Sequence, residues 1–522
     1  MHFFRAGAIF IVTLIAGCVT VKPPAPQTSD EVLAELQFAR ETSVFGPAQD
    51  FHGSAFNEVG KTELYPVREV GECEVAVLES GEGSFAERME ILKDATQSIR
   101  IQALVFKGDE VGLRIAEVLK QKKAEGLDVR VIVDAFSNPE MQTQWMLFDL
   151  KQHGIEVEGY EAMGLQWLNE IPVPVLTPHY DADRGDKRFH EKLFLIDTET
   201  ENGVAVTGGL NIANEYFRVD PDNPAGYWRD QDVAVRGAIL ADLQAAFDRN
   251  FDYMVQIKKS RGILNTNLYW DTTRAVMDNT GKLAVEYKTE QRLVERVAEL
   301  ERQTAKPDYL PSRCRFMHNR PRFAETYILQ TYLKLIAAAK VELLIANAYF
   351  VPTPAIAAAL KDAARRCVAV TLVTNSPETN DLPEISMVGR GYYKDLLAVN
   401  ETRGVRTCPN ADAGIHIWEW IGRSGDDSVQ QGTMHSKFAV VDRRLSLVGS
   451  YNLDPRSERL NSETALVFEQ EVLSSELAAW ILEQDLQDSR PVSLADAEAF
   501  ADPDDVIYQF RKEIGHLFEE EL

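Results

Sequence analysis

Two stretches of this 522-residue chain repeat one spacing of imidazole, ammonium and carboxylate. The first reads His190-Glu191-Lys192-Leu193-Phe194-Leu195-Ile196-Asp197 and the second His435-Ser436-Lys437-Phe438-Ala439-Val440-Val441-Asp442. A turn of small residues follows each and ends in a carboxamide, Gly208-Gly209-Leu210-Asn211 and Gly449-Ser450-Tyr451-Asn452. The chain holds nine histidines, so chance would give a single HxKxxxxD well under once, and two copies in matching surroundings form a signal. Imidazole, ammonium and carboxamide on one surface suit a phosphodiester: a nucleophile or proton donor, a cation for the oxyanions and a neutral donor. Doubling the set across an interface places one histidine on each side of the phosphorus, as in-line displacement requires.

Strands are the elements that would carry these side chains. The run from His to Asp in each motif is apolar and partly β-branched, and strand alternation sends His190 and Lys192, like His435 and Lys437, to one face about 7 Å apart. Asp197 and Asp442 have the opposite parity, which assigns them structural roles near the strand end. Gly208-Gly209 and Gly449-Ser450 let the chain reverse closely and return Asn211 and Asn452 towards the His/Lys face.

Helix and strand alternate in the same order around both motifs. The pattern predicts a helix over Phe85–Gln97, a strand over Ile99–Phe106, a helix over Glu110–Ala124 and a strand over Val129–Ala135. It recurs as a helix over Glu325–Ala339, a strand over Val341–Phe350, a helix over Ala355–Arg366, a strand over Val368–Thr374 and a helix over Tyr392–Asn400. A period of roughly 240 residues far exceeds that of any repeat array and marks a duplicated domain. The expected fold class is α/β: two homologous domains with mixed sheets, packed as a pseudo-twofold pair with the active site at their interface. The first domain is expected over 80–257, a charged helical connector with an amphipathic Glu290–Glu301 over 258–310, the second domain over 311–490 and an acidic tail over 491–522.

Composition narrows the function classes. Hydrophobic residues at 45% and charged residues at 26% are ordinary for a folded soluble body and exclude wholesale disorder and a polytopic membrane protein. Against 55 Lys+Arg stand 81 Asp+Glu, a formal charge of −26, which argues against a general nucleic-acid binder. At the N-terminus Arg5 precedes a short apolar run and the small residues Ala16-Gly17 before Cys18, the layout of a removed signal peptide over 1–17. Leu14-Ile15-Ala16-Gly17-Cys18 resembles a bacterial lipobox, which would make Cys18 the lipidated first residue. Residues 18–79 then hold the anchor, a Pro-rich tether from Val19 to about Asp30 and a lead-in to the first domain. The expected location is the exported side of a cell membrane; Val19 lacks the Asp associated with inner-membrane retention, and both bacterial membranes stay open. Cys73, Cys314, Cys367 and Cys408 show no metal-type clustering, so no metal and no cofactor are expected; two disulfides or four buried thiols are equally consistent with their spacing.

The paired motifs resemble those of the phospholipase D superfamily, over roughly residues 80–490. Within it the chain is most similar to bacterial cardiolipin synthases, especially the C-type lipoproteins, through Gly208-Gly209-Leu210-Asn211-Ile212-Ala213-Asn214-Glu215-Tyr216-Phe217, Trp228-Arg229-Asp230-Gln231-Asp232-Val233 and Asn452-Leu453-Asp454-Pro455-Arg456-Ser457. The resemblance implies a phosphatidyltransferase working through a phosphatidyl-histidine, with His190 as nucleophile, His435 as general acid, and Lys192, Lys437, Asn211 and Asn452 on the phosphate. It also implies an orienting carboxylate for each imidazole: Glu463 in the second half and Asp230 in the first, with Asp232 as runner-up. Implied substrates are glycerophospholipids, phosphatidylglycerol with phosphatidylethanolamine as a candidate second lipid; a hydrolase giving phosphatidic acid is the alternative, ahead of a nuclease or a silent lipoprotein.

Other features have plainer readings. Met163–Leu176 is an acyl-chain loop or a Pro-broken core segment. Arg313, Arg315, Arg320 and Arg322 form the densest basic cluster and read first as a solvated loop, second as a headgroup contact. His179, His318 and His416 are expected to be structural, and Trp418 and Trp420 to pack from one strand face into the core.

Overall fold

The computed structural model describes residues 28–49, 64–78, 80–160, 188–223, 226–261, 286–303, 306–320, 325–422 and 432–501. Cys18, Met163–Leu176, His179 and Arg322 lie outside them. Within them two eight-stranded mixed sheets share one plan. The first contains β1 (Cys73–Leu78), β2 (Ser98–Ala103), β3 (Asp128–Asp134), β4 (Glu156–Tyr160), β5 (Leu193–Ile196), β6 (Val204–Gly208), β7 (Asp232–Gly237) and β8 (Leu310–Pro311), in the order β4-β3-β2-β5-β6-β7-β1-β8. The second contains β9 (Arg313–Asn319), β10 (Glu342–Asn347), β11 (Ala369–Asn375), β12 (Gly414–Trp420), β13 (Lys437–Val441), β14 (Leu445–Gly449), β15 (Glu463–Glu469) and β16 (Ser489–Val492), in the order β16-β12-β11-β10-β13-β14-β15-β9. The strands β2 to β4, like β10 to β12, run parallel, and the remaining pairings are antiparallel. Seven strands correspond one to one; β8 and β16 extend opposite edges. The α/β duplication is therefore present in backbone detail.

The helices are α1 (Ser29–Glu41), α2 (Gly81–Asp94), α3 (Glu110–Ala124), α4 (Met141–Gln152), α5 (Leu240–Arg261), α6 (Gln291–Arg302), α7 (Tyr327–Ala338), α8 (Pro354–Arg365), α9 (Pro383–Leu397), α10 (Glu471–Ala479) and α11 (Leu494–Ala501), with short turns left unlabelled. The outer face of the first sheet buries Ile99, Ile101, Val129 and Val131 against Phe85, Met89, Ile115, Leu119 and Leu147 of α2, α3 and α4. The second sheet buries Leu343, Ile345, Val370 and Leu372 against α7, α8 and α9 in the same way. A third core lies between the sheets. Strand alternation sends Leu193 and Leu195 of β5 there while Phe194 and Ile196 face the outer helices, and Phe438 and Val440 of β13 there while Ala439 and Val441 face outward. Each such side chain is worth about 1.5–3 kcal/mol when fully buried, so this shared core fixes how the two domains face each other.

Helix starts explain the displaced boundaries. Ser80 caps α2 by accepting from the Gly83 amide, which starts the helix at Gly81 and not at Phe85. The helix read over Tyr392–Asn400 begins at Pro383, which occupies its first turn. Gly389, in this helix, lies against the Phe350 carbonyl, where a Cβ would collide.

The domains are strapped together beyond their shared core. The described part of the lead-in is folded: α1, opened by a Thr28/Glu31 capping box, packs Val32 and Ala39 on the second domain, while β1 lies inside the first sheet. Between them Arg68 pairs its backbone with Cys314 of β9 in both directions and its guanidinium with Asp242 of α5. Of the cysteine alternatives, the structure has two disulfides, Cys73–Cys314 joining β1 to β9 across the domains and Cys367–Cys408 within the second domain. In the connector, α6 packs Leu293, Val297 and Leu300 into the first domain's outer core, and the chain then changes sheets at Ser312, between β8 and β9. The start of the expected tail is folded as well. Pro491 and Val492 pair with β12, and α11 adds Ala497 to the second domain's core.

The basic cluster is not a solvated loop. Arg313 and Arg315 belong to β9; Arg313 pairs with Glu69, Arg315 donates to the Gly46 carbonyl, and Arg320 forms a buried pair with Glu325. Trp420 is buried and donates to the Gly432 carbonyl. His318 is buried against Glu191, whereas His416 reaches the Asp412 carbonyl.

Candidate active site

The two HxK segments come together at the domain interface because each is paired with the other domain's backbone. The His190 amide donates to the Ser462 carbonyl and the Ser462 amide to the Arg188 carbonyl. In the pseudo-twofold counterpart the Arg229 amide donates to the Thr433 carbonyl and the His435 amide to the Arg229 carbonyl. These crossings stop the motif strands early: β5 begins at Leu193 and β13 at Lys437, so both histidines lie before their strands and not within them. The crossings also exchange the acids. His190 Nδ1 lies 2.8 and 3.0 Å from the Glu463 carboxylate oxygens, and His435 Nδ1 lies 2.7 Å from Asp230 Oδ2. Each orienting carboxylate therefore serves the histidine of the opposite domain. Asp232 does not take this role: its carboxylate accepts from Ser84 Oγ and Arg88 in a buried ion pair.

The acids are held differently. Glu463 also accepts from the Ser450 and Ser457 hydroxyls, whereas Asp230 accepts from the Gln231 amide. Gly209, the counterpart of Ser450, has no side chain because the Asp230 carboxylate occupies the space a Cβ would need. At Gly449 a Cβ would strike the backbone of Thr464 and Ala465, and Gly208 has φ 152° against Asp232 and Gln231. Close approach by the neighbouring strand, more than chain reversal, is what requires these glycines.

Lys192 Nζ donates to the His190 carbonyl at 2.6 Å, and Lys437 Nζ to the His435 carbonyl, so each ammonium is tied to its own motif. The Asn211 carboxamide accepts from the Val105 amide at 3.1 Å and donates to the Tyr216 hydroxyl at 2.8 Å. Asn452 Oδ1 is buried and has no partner among the described residues. Asp197 and Asp442 both have φ 49° and accept from consecutive amides at the start of a neighbouring strand: Thr96, Gln97 and Ser98 for Asp197, and Lys340, Val341 and Glu342 for Asp442. They stitch the end of the motif strand to β2 and β10.

Burial dominates the electrostatics. It pushes the Asp230 and Glu463 carboxyls up to about 7, against the pull of the lysines. It lowers the Lys192 ammonium to about 7 and Lys437 to about 8, and with the lysine charges it holds both imidazoles well below their usual value. Burial thus favours the neutral forms, and an anion placed between the two lysines and two histidines would favour the charged ones. No group of three or more His, Cys, Asp or Glu able to hold a metal occurs among the described residues.

Several participants escaped the sequence. A π-helical turn, Trp480–Asp485, brings Asp485 to Arg229 at 2.8 Å in a buried pair across the domains, next to Asp230. Glu191, between His190 and Lys192, is buried and bonded to Gln102, Asn250 and His318. Only the structure joins these distant positions; the spacing of charged residues gave no sign of them.

This fold with its doubled His/Lys site defines a PLD-like protein. A family model described as cardiolipin synthase, PLD-like domain, matches residues 89–254 and 332–485, and the chain belongs to that family. It is 27% identical over 387 residues to a cardiolipin synthase of Halalkalibacterium halodurans, covering 74% of this chain and 61% of that protein's length. It is 26% identical over 419 residues to the probable cardiolipin synthase YwiE of Bacillus subtilis, covering 80% and 67%. The crystal structure of phosphatidylserine synthase from Haemophilus influenzae Rd KW20 superposes on 88% of this chain and 97% of its own with a TM-score of 0.57 at 17% identity, a likeness of fold.

Proposed function

We propose that the protein is a phosphatidyltransferase that makes cardiolipin from phosphatidylglycerol and a second glycerophospholipid. The observation that carries this is the crossed pairing of His190 with Glu463 and His435 with Asp230, which holds both Nδ1 atoms on carboxylates across the interface; in this reading both Nε2 atoms meet one phosphorus. His190 Nε2 attacks phosphorus while His435 gives its proton to the departing alcohol oxygen, forming a phosphatidyl-histidine. His435, now neutral, takes the proton of an incoming lipid hydroxyl as that oxygen attacks, and the N–P bond breaks. Lys192 and Lys437 balance the non-bridging oxygens, with Asn211 and Asn452 beside them.

The protein works at a membrane surface held by a lipid on Cys18 after removal of residues 1–17. No helix among the described residues is long and apolar enough to cross a membrane, which leaves attachment to the N-terminus in this reading. The two disulfides support folding outside a reducing cytosol. Purified protein given vesicles of phosphatidylglycerol, alone and with phosphatidylethanolamine, is expected to form cardiolipin, and His190→Ala to abolish it. Phosphatidic acid as the only product would replace the synthase with a hydrolase.

A further inference from the structure

The surroundings of the two histidines differ in chemistry at equivalent positions. Around His435 stand Tyr216, Trp228 and Tyr349, with ring centroids 5.4, 5.2 and 6.2 Å from the imidazole. The matching bridges Phe106–Ile212 and Phe350–Leu453 make Val105 the counterpart of Tyr349. Counting from Asn211 and Asn452 makes Ser457 the counterpart of Tyr216, and counting back from Asp230 and Glu463 makes Asn461 that of Trp228. All three rings are thus replaced by aliphatic or small polar side chains at the other end, and no ring packs on His190 among the described residues.

The aromatic end also carries a carboxylate. Tyr349 donates its hydroxyl to Asp381 Oδ1 at 2.7 Å, and its ring lies 5.8 Å from Lys437 Nζ. Asp381 is exposed, Tyr349 and Trp228 are half-buried and Tyr216 is buried, so the group runs from His435 to solvent at Asp381. The Asp381 and Leu382 amides also approach this carboxylate, and with about four acceptor positions it can still accept from a ligand. Ring faces beside a carboxylate attract ammonium and hydroxyl hydrogens and repel anions.

We propose that Tyr349 and Asp381, with the rings of Tyr216 and Trp228, form the headgroup subsite, which admits alcohol groups rich in hydrogen-bond donors, the glycerol end of an acceptor lipid included, and rejects headgroups bearing a carboxylate. The assignment rests on the transfer proposed above, in which the departing and incoming alcohols pass His435. Glycerol hydroxyls and an ethanolamine ammonium offer the same donor chemistry, and separate vesicles distinguish them.

Headgroup release is measured from vesicles of phosphatidylglycerol, phosphatidylethanolamine or phosphatidylserine with wild type, Asp381→Asn and Tyr349→Phe. Wild type is expected to favour the first two over phosphatidylserine by about tenfold or more in kcat/KM. Asp381→Asn is expected to narrow that gap to about threefold, with gains on the serine headgroup and losses through KM on the others; Tyr349→Phe should move the same way by less. Equal effects of Asp381→Asn on all three lipids, or a wild type indifferent to headgroup, would overturn the subsite and leave the transferase standing. A wild type releasing no headgroup from any lipid would overturn both.

Discussion

The two ends of the interface share a scaffold and differ in how it is reinforced. Both have a histidine held by the opposite domain's acid, a lysine tied to its own motif and an aspartate capping consecutive amides. Glu463, however, is steadied by two serine hydroxyls, while Asp230 has one backbone amide and relies on the Arg229–Asp485 pair beside it. The backbone stitching and the lysine contacts have stayed equal, whereas the support of the acids, the bonding of Asn211 and Asn452 and the lining have diverged. In the transfer proposed above, the exchanging alcohols at His435 then meet a different lining from the one around the nucleophile His190.

The largest expected effects test which end is the nucleophile. His190→Asn and His435→Asn should each lower turnover by about four orders of magnitude or more, since neither imidazole can replace the other's role. They should differ in the trapped state: a labelled phosphatidyl-p-nitrophenol, whose leaving group needs no proton from His435, is expected to leave an adduct on His190 in the His435→Asn protein and none in the His190→Asn protein. The reverse result would exchange the roles of the two ends.

The acids come next. Glu463→Gln and Asp230→Asn should each cost about 100- to 10,000-fold in kcat, because an amide no longer stabilises the imidazolium. The crossed geometry predicts that Asp230→Asn impairs the step served by His435, so that the adduct on His190 forms slowly; Glu463→Gln should weaken the nucleophile itself. Single-turnover kinetics separate the two, and identical profiles would break the distinction.

Support is a smaller matter for turnover than for stability. Asp485→Asn leaves Arg229 charged and buried without its partner, which should cost about 3–5 kcal/mol of stability. Ser450→Ala at the other end removes the bond to Glu463 and the one its hydroxyl accepts from the Thr464 amide, together about 2–3 kcal/mol. Thermal melting checks the order, and Ser450→Ala proving the more damaging would contradict it.

Much of this was legible because duplication writes itself into spacing. The HxKxxxxD pair, the opposite parity of Asp197 and Asp442, and the helix-strand order all follow from local periodicity, and the α/β plan came with them. The partner of each acid did not. Asp230 lies 40 residues after His190 in sequence yet binds His435, since Arg229 and Thr433 pair as backbone across the interface. Asp485 was hidden for the same reason, and the aromatic end because Tyr216, Trp228 and Tyr349 come from three separated segments. Local pattern reports which residues share a strand face; it does not report which domain that face meets.

Titration gives a further comparison. Asp230 and Glu463, near 7, must lose protons to hold imidazolium, whereas Lys192 near 7 and Lys437 near 8 must keep theirs to hold phosphate. As pH rises the acids gain their charge while Lys192, Lys437 and the imidazolium of His435 lose theirs, so kcat/KM should be bell-shaped with an alkaline limb that sets in by about 7 to 8. Lys192→Arg should carry the alkaline limb upward, and an unchanged limb would assign it to another group.

The smallest difference is expected where the ends are most alike. Asp197 and Asp442 each accept from three amides at φ 49°, so Asp197→Asn and Asp442→Asn should cost similar stability, about 1.5–3 kcal/mol, with kcat little changed once the protein is folded. Despite partial burial, the Ser98, Gln97 and Thr96 donors hold the Asp197 carboxyl below its usual value. Its contribution is therefore complete at neutral pH and is lost as pH falls through the carboxylate range, so the Asp197→Asn deficit in melting temperature should shrink on acidification. A kcat loss at one aspartate alone, with both variants folded, would show that its motif reaches substrate through this residue and that the shared scaffold is less equal than its geometry.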